Sequence, residues 1–81
     1  MYKYSVLIVE RYTTPEGASV INHYNYVYHG GWVCRRNSCG EIVRRVTKVA
    51  VMSDVAFAAH VVEWHRGNVA PARARLEWYL C

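Results

Sequence analysis

Hydrophobic and polar residues alternate along three stretches of the chain, residues 2–12, 19–28 and 72–80. A period of two puts neighbouring side chains on opposite faces of an extended chain, and the first two stretches are rich in the β-branched and aromatic residues that strands favour. We therefore predict a β-strand in each stretch. For the last one, a short helix that begins at Pro71 is an alternative, because Ala, Arg and Leu are also good helix formers.

Turn-forming residues separate these strands. Pro15 and Gly17 allow the chain to reverse after the first strand, and Gly30 and Gly31 allow it to reverse after the second. Residues 32–34 can then form a short further strand before the polar stretch that follows.

Residues 41–52 fit two patterns. An S-x-x-E capping box begins at Ser38, and apolar residues follow it at helical spacing. The stretch EIVRRVTKVAV is nevertheless rich in Val, Ile and Thr, which fit a pleated sheet better than an exposed helix, and Gly40 weakens a first helical turn. We prefer a strand here.

One helix is predicted over residues 53–66, with Ser53 as its N-cap and Gly67 at its end. Its apolar residues form one wide stripe, made of Phe57, Ala58, Val61, Val62 and Trp64. His60 and His65 lie five positions apart, so they do not share one face as a helical metal pair would. We expect both histidines at the surface or at its rim.

These elements predict an α+β fold of order ββ(β)βαβ, in which the helix packs on one face of a small antiparallel sheet of three to five strands. At 81 residues the chain has room for a single domain, 1–81. No apolar run approaches the roughly 20 residues that cross a bilayer, and no signal-peptide pattern is present. Since an odd number of cysteines also favours a reducing compartment, we expect the protein in the cytoplasm of a host cell, away from membranes.

Ten Lys and Arg residues against six Asp and Glu residues give the chain a net charge of +4. This excess suits nucleic acid or an acidic protein surface, and it argues against a protein that imitates DNA. If residues 42–51 and 72–80 were adjacent strands, their arginines would collect on one sheet face. Tyr24, Tyr26 and Tyr28 could then stack on single-stranded RNA, but we favour their packing beneath the helix.

Four possible soft metal ligands, His23, His29, Cys34 and Cys39, lie in one region of the sequence. The chain contains no C-x-x-C pair, so we favour surface histidines and half-buried thiols and predict no metal or other cofactor. No spacing selects a cysteine and a histidine as nucleophile and base, and domains this small seldom build a complete pocket. We therefore predict no catalytic residue and no enzymatic activity.

Four segments, YNYVYHGGW, EIVRRVTKV, SDVAFAAHVVEWHRGN and RARLEWYL, together resemble the small single-domain accessory proteins of phages and prophages in layout and aromatic pattern. The resemblance covers about residues 20–81. It implies a non-enzymatic protein. Such proteins are frequently inhibitors of bacterial defence systems, including anti-CRISPR proteins, which occupy a surface of the effector complex.

We therefore predict an inhibitor of the anti-CRISPR kind that binds a host protein or ribonucleoprotein complex. Its predicted binding surface combines basic residues with aromatic anchors, namely Arg35, Arg36, Arg44, Arg45, Arg73 and Arg75 with Trp32 or Tyr79. The alternatives are a small RNA- or DNA-binding module that uses the same arginines on phosphates, and a small zinc-binding domain. A monomer and a homodimer formed by sheet extension both remain open.

Overall fold

A computed structural model of the protein describes residues 2–50 and 53–81 and contains five antiparallel strands and one helix. The elements are β1 (Ser5–Thr13), β2 (Ser19–His29), β3 (Trp32–Arg36), β4 (Ile42–Lys48), α1 (Asp54–Asn68) and β5 (Arg75–Leu80). The strands lie in the order β4-β3-β2-β1-β5. The predicted α+β class and the predicted order of elements are confirmed. No helix in this part of the chain is long and apolar enough to cross a membrane.

The segment that fitted two patterns is a strand, as predicted, and it forms β4. Residues 51 and 52 of the predicted segment lie outside the described residues. The closing strand begins only at Arg75, because the Ala74 N–H donates a hydrogen bond of 3.0 Å to the Pro71 carbonyl in a preceding turn. The alternative of a helix from Pro71 is therefore wrong.

The helix begins where its capping pattern predicts. The Ser53 side chain accepts a hydrogen bond of 3.1 Å from the backbone N–H of Ala56, and α1 continues to Asn68, two residues beyond the predicted end. Its buried residues are Phe57, Ala58, Val61 and His65. The predicted apolar stripe thus faces the sheet, and a histidine lies within it.

The helix covers one face of the sheet, which we call the helix side; the other is the open face. On the helix side Val6, Ile8, Tyr26 and Val33 form the core with the buried apolar residues of α1. Tyr24 and Tyr28 pack against this core. The predicted packing of the β2 tyrosines beneath the helix is confirmed.

The two outermost strands of the sheet are β4 and β5. Three strands separate β4 from β5, so these two strands are not adjacent and do not collect their arginines on one face.

The sharp reversal of the chain after β2 depends on Gly30 and Gly31, whose φ angles of 58° and 84° lie in the region that glycine adopts without strain. This reversal brings β3 back beside β2 and ends at Trp32.

Replacing Val61 with Ala should lower the free energy of unfolding by about 2 kcal/mol, because two buried methyl groups are lost and a cavity remains. Val61 has no exposed surface, whereas Val55 on the same helix is 58% exposed. The same change at Val55 should stay within about 0.5 kcal/mol of the parent. Urea unfolding of both variants measures the difference, and equal losses would contradict the packing described.

Candidate functional site

A chain of hydrogen bonds runs through the interior between the sheet and the helix. The Tyr26 hydroxyl lies 2.7 Å from Nδ1 of His65, and Nε2 of His65 lies 2.9 Å from Oε1 of Glu10. Asn22 donates from Nδ2 to Oε2 of the same carboxylate at 3.0 Å. Glu10 is 1% exposed, and Tyr26 and His65 are fully buried. We call these four residues the buried chain.

The chemistry of its members fixes the proton positions in the buried chain. Burial is the largest influence on His65 and lowers its pKa, while the hydrogen bond and charge of Glu10 oppose that shift. Burial also raises the pKa of Tyr26 far above its usual range. A neutral imidazole therefore donates from Nε2 to the Glu10 carboxylate and accepts at Nδ1 from the Tyr26 hydroxyl.

This order of groups matches a nucleophile, a base and an orienting carboxylate, but in the folded protein Tyr26 and His65 are out of reach of a substrate. A reacting group has to reach a substrate, and neither Tyr26 nor His65 has any exposed surface. The arrangement instead gives Glu10, Tyr26 and His65 hydrogen-bond partners where the helix and the sheet bury them. The expectation that His65 lies at the surface is wrong, because it replaces an apolar residue in the buried stripe of α1.

The open face carries a group of rings and cations at one end, on β2, β3 and β4. Trp32 contacts two cations of β4, with the Arg45 guanidinium 5.1 Å and the Lys48 ammonium 5.5 Å from its ring centroid. The Arg36 guanidinium lies 5.1 Å from the Tyr2 ring, which makes an edge contact with the His29 ring at 5.7 Å. We call these residues the basic-aromatic patch: Tyr2, His29, Trp32, Arg36, Arg45 and Lys48.

The surface around Trp32 is not flat. A depression of about 440 Å³ lies on the side of Gly31 and Lys48, and another of about 420 Å³ lies on the side of His29 and Arg45. Trp32 lines both of them. Trp32 and Gly30 lie between these two shallow depressions, which are open to solvent.

The cations of the basic-aromatic patch have no carboxylate partner. Among residues 2–50 and 53–81 the ion pairs join Arg11 to Glu77 and His65 to Glu10, and neither pair includes a patch residue. Arg36 donates a hydrogen bond of 2.9 Å from Nε to the carbonyl oxygen of Gly40. Because a carbonyl is neutral, this bond does not compensate the charge of Arg36. The patch is therefore a region of positive potential with aromatic surface at its centre.

The structure places the eight predicted site residues at three separate locations. Trp32, Arg36 and Arg45 lie together in the patch. Arg35 and Arg44 pair with each other on the helix side, in register with Tyr26, because consecutive strand residues point to opposite faces. Arg75 and Tyr79 lie on the open face at β5, and Arg73 precedes that strand. One continuous surface of six arginines does not form.

His23, His29, Cys34 and Cys39 do not form a metal site among the residues that the structure describes, since no group of three or more His, Cys, Asp or Glu side chains there could hold an ion. Cys34 is fully buried, and burial raises the pKa of its thiol although Arg45 opposes the shift. A thiol of this kind is a poor nucleophile at neutral pH. Cys39 and Cys81 are exposed and free.

Sequence reasoning missed Tyr2 and His29 as members of the patch, and Glu10 and His65 as members of the buried chain. The signal for Glu10 was its even position in β1, which continues the face of Val6 and Ile8. Comparison of the chain with protein-family models, curated proteins and solved structures finds no match in any of the three.

The lowered pKa of His65 predicts how stability depends on pH. The unfolded chain takes up a proton on His65 near pH 6.5, and the folded protein resists it. The free energy of unfolding should therefore reach its full value above about pH 7. It should fall as the pH decreases from about 6.5, and the protonation of His65 should account for at most about 1.4 kcal/mol of that fall per pH unit.

Urea unfolding between pH 7.5 and about pH 5.5, above the range in which exposed carboxylates titrate, measures this dependence. A His23→Gln variant serves as the control, because His23 is exposed and outside the buried chain; it should keep the dependence. Stability that is constant, or that rises, on acidification over this range would contradict a neutral buried imidazole.

Proposed function

We propose that this protein acts without catalysis, by binding a negatively charged surface of a host macromolecular complex through its basic-aromatic patch. The observation that carries the proposal is the contact of Trp32 with Arg45 and Lys48 on the open face of the sheet, which the helix of the described residues does not cover. Trp, Tyr and Arg are the residue types that dominate binding energy at protein interfaces.

The patch is organised before any partner arrives. The Trp32 ring contacts Arg45 and Lys48 within the free protein, and β4 places Lys48 opposite Trp32 and Arg45 opposite Cys34. Side chains that are ordered in the free protein lose less conformational entropy on binding. Their uncompensated charges attract an acidic surface at long range and add hydrogen bonds to carboxylates at short range.

A bacterial defence complex is the partner class that we favour, so that the protein is an inhibitor of the anti-CRISPR kind. The support for this choice is the resemblance of residues 20–81 to phage and prophage accessory proteins, together with the basic charge and small size of the domain. A domain of this size inhibits by covering a surface that the complex needs for its own ligand. We rank a protein surface first because the two depressions beside Trp32 fit protruding side chains.

Single-stranded nucleic acid is the second candidate, and the same patch favours it. Trp32 and Tyr2 offer ring faces near three cations, which is the combination that single-strand binders use. The tyrosines of β2 cannot contribute, because they pack on the helix side. Binding to phosphates would weaken steeply with added salt.

Arg44 and Arg45 provide a matched test, because they are exposed neighbours on one strand that point to opposite faces. An Arg45→Glu variant should bind the partner at least about tenfold more weakly, since a central charge of the patch is reversed. Arg44→Glu makes the same change in net charge on the helix side and should bind within about twofold of the parent. Pull-down of tagged variants from bacterial lysate, with and without nuclease, measures the recovered partner.

Recovery of a protein in stoichiometric amount after nuclease treatment supports an inhibitor that binds protein. Recovery of nucleic acid alone, or of proteins that nuclease removes, supports the second candidate. Equal loss in both variants, or loss only in Arg44→Glu, would remove the patch from the interface.

A further inference from the structure

We propose that two copies of this chain associate through β5, so that their two five-stranded sheets become one continuous antiparallel sheet. The proposal concerns the edge of the sheet farthest from β4, and it does not depend on the function assigned to the basic-aromatic patch.

The main chain of β5 is available for pairing along its outer side. β5 pairs with β1 in an unbroken antiparallel register from Arg75 to Leu80, and Cys81 donates from its N–H to the Ser5 carbonyl at 2.9 Å. Odd-numbered residues of β5 therefore direct their main-chain groups towards β1. The N–H and C=O groups of Leu76, Trp78 and Leu80 point away from the sheet, where no described strand pairs with them.

Large apolar side chains accompany this free edge. Trp78 is 40% exposed, Tyr79 is 50% exposed and Leu80 is 41% exposed. They are consecutive, and they make up half of the exposed large hydrophobic residues found in the described part of the chain. A regular edge strand with exposed apolar residues is the kind of surface that a second strand covers.

The opposite edge is protected against the same pairing. The β3–β4 pairing shifts register twice, and β4 exposes three cations, Arg44, Arg45 and Lys48, beside one large apolar residue, Val43. Pairing of β4 with β4 of a second copy would bring these like charges together. Pairing of β5 with β4 of a second copy would leave one free edge on each copy, so that further chains would continue to add. Pairing of β5 with β5 is the arrangement that closes.

The sequence of β5 is self-complementary when the two-fold axis passes between Trp78 of one copy and Trp78 of the other. Trp78 then faces Trp78 of the second copy, and Leu76 faces Leu80 of the second copy, all on the helix side. On the open face Glu77 meets Tyr79 of the second copy, and this pair already forms a hydrogen bond of 3.0 Å within one chain, from the Tyr79 hydroxyl to Glu77. Arg11, at 3.0 Å from Glu77, compensates the carboxylate charge.

In this dimer the two α1 helices lie on the same side, and Trp78 and Leu80 fill the channel between them. The two basic-aromatic patches lie on the common open face, one on each half. A partner with two acidic sites would therefore meet two equivalent patches.

Sedimentation velocity in reducing buffer tests the proposal, since the exposed Cys39 and Cys81 could otherwise link chains covalently. The parent should reach twice the 9.4 kDa mass of one chain as its concentration rises towards millimolar. Trp78→Lys should raise the dimer dissociation constant at least about tenfold, because it places a charge on the two-fold axis. Val55→Lys, at an exposed apolar residue on α1, makes the same change elsewhere and should dimerise as the parent does.

Amide hydrogen exchange of the parent provides a second readout that needs no variant. Leu76, Trp78 and Leu80 should exchange more slowly as the concentration rises. A parent that stays monomeric at millimolar concentration would overturn the proposal. A dimer that Trp78→Lys leaves intact, or one in which these three amides stay unprotected, would also overturn it.

Discussion

The contact between His65 and the sheet determines how this small fold is arranged. His65 lies on α1, Glu10 on β1 and Tyr26 on β2, so the two hydrogen bonds of one imidazole join the helix to two interior strands. A buried polar group without a partner costs about 1–3 kcal/mol, and an unpaired buried charge costs more. The bonds from His65 to Glu10 and Tyr26 form together only when the helix lies at one position over the sheet. Apolar packing attaches the helix, and the buried chain specifies where it lies.

This constraint leaves the other face of the sheet free. The helix packs over β5 and β1 and reaches β2 through Tyr26, all on the helix side. Among the described residues the open face is covered by side chains alone, and Val27 and Cys34 there still have no exposed surface. Rings and long basic side chains surround them and exclude water. The basic-aromatic patch therefore covers one end of the open face and also leaves uncompensated positive charge at the surface.

Local sequence patterns predicted most of the elements because their causes are local. Period-two alternation identified β1 and β2, and the Ser53 cap identified the start of α1. Val, Ile and Thr content correctly favoured a strand for β4 over a helix. The strand order was not predictable from local patterns. One edge of β1 pairs with β2, and the partner of its other edge depends on where the chain returns to the sheet after α1.

The candidate site was only partly predicted, for the same reason. Trp32, Arg36 and Arg45 were chosen for residue type, and they do lie together. Arg35 and Arg44 were chosen on the same criterion, but they fall on the other face because strand residues alternate and the register pairs them with the Tyr26 row. The pairing of Glu10 with His65 joins residues 55 positions apart, and no spacing along the chain indicates it.

The most direct test of the account is site-specific photo-crosslinking in living bacteria, with a photoreactive residue placed at position 48 of the basic-aromatic patch or at position 55 on the helix. Both positions are exposed, and they lie on opposite faces. We predict that position 48 crosslinks to one discrete macromolecule and that position 55 does not. Crosslinking from position 55 alone would place the interface on the helix and contradict the account.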